Sequence, residues 1–237
     1  MNNILKVSKY QLLDFKKAMI IYYAIILAIS AAMIILYLTF IDSSDTNVNF
    51  GGFGTSALIF MFISGLNCFK SNFKFMQANN VSRKRFFLAN ILTLLSASAF
   101  MALIDMALSN VLNKVIPYES VFEQIYQKYF VFADFTWSLA LFAFAASLGW
   151  FITMLYYKCS KLMKTIVSLS PIFIIAIIIT LSSLTNGAVG RGILKFFTVT
   201  LGLTNNNSYI AVLSFFAGFA AMLALCWLML RRMAIKE

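Results

Sequence analysis

Few residues of this chain could do covalent or metal chemistry, and they do not gather. There is no histidine, which removes the usual general base and the commonest metal ligand. Cys68, Cys159 and Cys226 are far apart and lie in or beside apolar segments. Without metal spacing they read as small buried hydrophobes. The stretch GAVGRG at 187–192 lacks the lysine and the preceding strand of a phosphate loop, so nucleotide chemistry has no motif here. Two sets of charges remain. One is basic: KSNFKFMQANNVSRKRFF, residues 70–87, carries Lys70, Lys74, Arg83, Lys84 and Arg85 and no acid. The other is a single carboxylate, Asp105, inside an otherwise apolar run.

The elements that carry these charges follow from composition. The chain is 62% hydrophobic and only 11% charged over 237 residues, far from the balance of a soluble domain. Its apolar residues come in blocks of about 20, the length of a bilayer-spanning helix. Continuous apolarity rather than alternation excludes a β-barrel. The expected fold is an all-α membrane protein with six spans, at about 19–41, 54–69, 86–112, 136–156, 165–184 and 209–230, in a single transmembrane domain. The net charge of +11 sits in the short connections, where it orients the chain in a membrane rather than binding nucleic acid.

Residues 1–18 predict an interfacial helix. Ile4, Leu5, Val7, Leu12 and Phe15 fall on one arc and Lys6, Lys9, Lys16 and Lys17 on the opposite one, so that the apolar arc enters acyl chains and the lysines meet headgroups. The apolar run behind it begins too late and is too long for a secretory signal. After the second span, Phe73, Met76 and Gln77 share a helix face. Asn79 and Asn80 suit a stop and Ser82 suits the cap of the next helix, so a short helix lies across the membrane surface between spans two and three. Asp105 shares a face of the third span with Ser98, Ala102 and Ser109, a small and polar stripe suited to helix packing or to a polar pathway. Between spans five and six, TNGAVGRGILKFFTVTLGLTNNNS is too apolar for a free loop. Gly187, Gly190, Gly192 and Gly202 interrupt it too often for a full span. Short helices dipping into the outer leaflet under protein cover are expected there.

The charges test this arrangement. Of the 19 basic residues, the arrangement puts all but Lys114, Lys128, Arg191 and Lys195 on one side. By the positive-inside rule both termini are cytoplasmic.

With its amphipathic N-terminal helix, six spans, the entry VSRKRFFLANIL (Val81 to Leu92) into the third span and a broken segment between the fifth and sixth, the chain resembles the type-2 ABC exporter permeases of bacteria. The resemblance covers the whole chain in layout. It implies a multi-pass subunit of the bacterial cytoplasmic membrane in which the short helix between spans two and three couples to a separate ABC ATP-binding subunit. It also implies a second permease subunit, the same or a related chain, that completes the translocation path. Phe73 and Met76 would then anchor in the ATP-binding subunit while Arg83, Lys84 and Arg85 orient it, and Asp105 with Ser98 and Ser109 would face the path or the helix packing. ATP and Mg²⁺ would belong to the partner, this chain itself being no enzyme, and an amphipathic peptide, antimicrobial or lipid-like molecule would be the cargo. An ion-coupled secondary transporter and a non-transporting scaffold or immunity protein stand as alternatives.

Overall fold

The structure, a computed structural model, describes residues 2–40, 49–127 and 130–233. Nine helices occur among them: α1 (Asn2–Phe40), α2 (Phe53–Asn67), α3 (Lys70–Ala78), α4 (Arg83–Leu112), α5 (Val121–Tyr126), α6 (Val131–Lys158), α7 (Lys161–Leu184), α8 (Ala188–Thr200) and α9 (Ser208–Leu230). The only pairing outside helices among these residues is an isolated bridge between Phe50 and Tyr118. Six helical stretches are long and apolar enough to cross a membrane, the second being α2 and α3 together over Phe53–Ala78. Lys128 and Lys236, which enter the charge argument, lie outside the described residues.

The long helix α6 is the hub, packing on α2, α4 and α9, while α1 packs along α4. Small residues let α6 do this. A methyl added at Gly65 of α2 would overlap the backbone carbonyl of Ala146, and one at Gly149 of α6 would overlap that of Phe62. The two backbones are in contact, the packing that replaces a hydrophobic driving force where lipid is the solvent. Ala140, Ala143, Ala146 and Ser147 line the same helix and are fully buried.

The first helix differs from expectation. Residues 1–18 do not form a separate interfacial element, since α1 runs unbroken to Phe40. No glycine or proline interrupts it, so nothing local ends the helix. Nor does the arc with Val7 and Phe15 face acyl chains: both are buried with Met19 in the main core. Polar contacts fix that seam to α4. Thr93 donates to Gln11 Oε1 (2.9 Å), and the Ser8 hydroxyl is 3.0 Å from that of Thr93.

At the other extreme, α7 has no buried residue over Leu162–Leu184. It touches chiefly α8, with the Tyr156 hydroxyl of α6 against that of Ser168. The segment after it forms one helix, α8, rather than several. Gly187 supplies the left-handed turn before it (φ 80), a conformation that glycine adopts without strain. Protein does not cover α8 as expected: Leu194, Phe196 and Phe197 are all more than half exposed.

Candidate functional site

Two groups of candidate side chains occur, near opposite ends of α4. The first is built on α3. Its helix is short, stopped at Asn79 and Asn80 (φ 55), and held by its apolar face. Phe73 is fully buried and its ring lies 5.0 Å from Phe69, 5.6 Å from Phe86 and 6.1 Å from Tyr157 between ring centroids. Those rings come from the turn before α3, from α4 and from α6, so α3 is wedged into the end of the bundle. Met76 is 4% exposed beside it.

This corrects the expected role of Phe73 and Met76. They cannot fill a groove on a partner, because the chain's own core takes both side chains. The amphipathic period of α3 is as expected, but the apolar face turns inward. The outward face offers Lys70, Ser71, Lys74 and Phe75 instead. Phe75 stacks on Tyr10 of α1 at 4.9 Å, and both rings are about half exposed (47% and 40%). An exposed aromatic step with lysines around it is the part of this end that a soluble protein could grip.

The three bases also divide. Ser82 caps α4, accepting from the Arg85 N–H. The Arg83 guanidinium reaches back to donate to the Arg231 carbonyl at 2.7 Å, closing the C-terminus of α9, where a cation is favoured by the helix dipole. Arg83 is thus tied to the fold, whereas Lys84 and Arg85 point outward.

The second group surrounds Asp105. This carboxylate is 8% exposed and faces protein: a methyl built on Gly54 of α2 would lie 3.3 Å from its Oδ2. Tyr118, in the connection after α4, closes the group. Its hydroxyl accepts from the Phe53 N–H (3.3 Å) and interacts with Ser109. Burial, and secondarily the charge of Asp105, raise the pKa of the Tyr118 phenol above its ordinary value, which keeps it a donor across the physiological range. Ser109 therefore joins Asp105. Ser98 does not: it sits two turns away, about 10 Å along the helix, fully buried with a hydroxyl that has no hydrogen-bond partner among the described residues.

Asp134 completes this group and was not expected in it, having read as part of the external connection. The sixth helix starts five residues earlier than the fourth span was placed, at Val131 rather than 136, so Asp134 falls in its first turn, where the dipole favours a carboxylate. It is 8% exposed, accepts from Ser138 at 3.3 Å, and interacts electrostatically with Asp105. Its spacing of four from Ser138 was the available signal. A polar cleft of about 610 Å³, lined in part by Tyr118, Glu119 and Glu123, opens at this end of the bundle. No group of three metal-ligating side chains occurs among the described residues. No family model, curated protein or solved structure matches the chain.

Proposed function

We propose that this chain is the membrane-spanning permease subunit of an ATP-driven exporter, embedded in a bacterial cytoplasmic membrane with both termini cytoplasmic. The observation that carries the reading is α3. A short helix stands at the basic end of the bundle, its inner face locked by Phe73 to α4 and α6 and its outer face exposed and cationic. A force applied to Phe75 and the adjacent lysines would move α4 and α6 as rigid bodies. ATP and Mg²⁺ are bound, and ATP is hydrolysed, by a separate ATP-binding subunit; no phosphate-loop sequence occurs in these residues. A second permease subunit meets the part of the bundle that the chain's own core leaves open, at α7, whose apolar face has no protein cover. The cargo is an amphipathic peptide, antimicrobial or lipid-like molecule. Co-purification with a cassette ATP-binding subunit, and stimulation of its hydrolysis by this chain, tests the reading. A chain that neither retains nor stimulates such a subunit is not a permease of this kind.

One observation favours a second reading. A secondary transporter coupled to protons or cations needs ionisable groups within the bundle, and Asp105 with Asp134 supplies two. Transport by reconstituted protein that follows an imposed ion gradient and ignores ATP would establish it over the first.

A further inference from the structure

Between α1 and α4 runs an open groove of about 850 Å³. Leu12, Met19, Leu27, Phe100 and Leu108 are among its walls, and they are apolar almost throughout. Lys16, Tyr23 and Ser96 are the polar residues among them, and Lys16 lines the groove with its aliphatic stem, Leu12 one turn before it and Ile20 one turn after. The nearest acid in sequence, Asp14, is two positions away and projects from the other side of the helix. An exposed lysine therefore stands at the edge of an apolar slot without an acid beside it on its own helix.

The dimensions say what belongs there. From Ile20 to Phe40, α1 carries no charged residue. That is about 31 Å of helix at 1.5 Å per residue, matching the ~30 Å hydrocarbon layer. Lys16 then lies at the edge of that layer, where a long amine reaches headgroups. From Lys16 to Leu27 the groove follows α1 for about 16 Å, close to the ~15 Å depth of one leaflet. An apolar channel one leaflet deep with an ammonium at its rim fits one class of ligand.

We infer that the α1–α4 groove is a binding site for an anionic phospholipid, its acyl chain lying along Ile20, Leu27 and Phe100 and its phosphate on Lys16. This rests on the membrane-spanning reading of the helices but not on the exporter reading. Carbonate extraction from membranes tests the former separately.

The test is native mass spectrometry of the detergent-purified full chain, titrated with dioleoyl phosphatidylglycerol or dioleoyl phosphatidylcholine. The first phosphatidylglycerol should bind about fivefold tighter than phosphatidylcholine, the effect of one base at a membrane surface. Lys16→Gln should abolish that preference, while Lys17→Gln, one residue away and outside the groove, should keep it. Ala24→Trp, at an exposed position in the groove wall, should weaken both lipids while leaving the melting temperature within a few degrees. The inference is overturned if wild type shows no preference, if Lys17→Gln removes as much of it as Lys16→Gln, or if a folded Ala24→Trp protein binds the first lipid as before. A dimer that Ala24→Trp splits into monomers would also overturn it, since the groove would then hold a second copy.

Discussion

Neighbouring phenylalanines on α3 should separate stability from coupling. Phe73 has no exposed surface and meets three aromatic rings. Truncating such a side chain costs about 3–5 kcal/mol. The lower end applies here, because α3 is a short helix at the bundle's end and can settle into part of the void. About 3 kcal/mol lowers the melting temperature of a chain this size by about 6–12 °C. Phe75 is 47% exposed and its one ring contact is Tyr10, so Phe75→Ala forfeits only about 0.5–1.5 kcal/mol and a few degrees. In the exporter reading the order reverses for binding of the ATP-binding subunit. Loss of an exposed aromatic anchor weakens an interface by about 1–2 kcal/mol or more, a fall of at least about fivefold in affinity. The assay is thermal melting in detergent beside ATPase stimulation in nanodiscs, with Phe73→Ala and Phe75→Ala compared. Phe73→Ala should melt early, and Phe75→Ala should fold and stimulate poorly. If Phe75→Ala melts as early as Phe73→Ala, or Phe73→Ala melts as wild type, the wedge described for α3 is wrong.

The α2–α6 contact predicts that Gly149→Ala lowers stability by about 1–3 kcal/mol, since the added methyl meets backbone that cannot rotate away. Gly192→Ala, with open space around it, should melt as wild type, and thermal melting of the two reads the difference. Asp105→Asn keeps the side chain's shape, so expression and melting should persist, and in the exporter reading transport should fall in reconstituted vesicles. Lost folding would assign Asp105 to packing alone. Cysteines replacing Phe196 and Phe197 should react with a membrane-impermeant maleimide more slowly than one replacing Asn206, because lipid must cover an apolar helix that protein leaves bare. Equal rates would place α8 in water.

Much of this architecture is legible in the sequence because lipid imposes a single rule: apolar runs of about 20 residues become helices. Stops and caps at Asn79, Asn80 and Ser82 are equally readable, being local chemistry. What periodicity cannot supply is the identity of the surface that an apolar face meets. The faces carrying Val7 and Phe15 on α1, and Phe73 and Met76 on α3, have the spacing of interfacial or docking helices, yet both turn into the core. A face that binds lipid, partner or core has one and the same pattern. Long-range polar contacts are silent for a different reason. Arg83 with the Arg231 carbonyl, and Thr93 with Gln11, join residues whose sequence separation carries no signal.

The distribution of grip within the bundle bears directly on how such a subunit would work. Phe86 of α4 packs under Phe73, and Asp105 lies on the same unbroken helix about 28 Å further along. α6 holds α2 through glycine-mediated backbone contact, and it also grips α4 and α9. Interlocked backbones do not slide by fractions of an ångström, so these helices respond to a push on α3 together or not at all. α7 and α8 are outside that grip. In the exporter reading, displacement of α3 therefore moves the α2–α4–α6–α9 body relative to α7 and α8, and the path opens along the seam between the two bodies rather than through the packed core. Asp105 and Asp134 belong to the moving body, which carries the carboxylates with it and leaves α7 as the element against which their position changes.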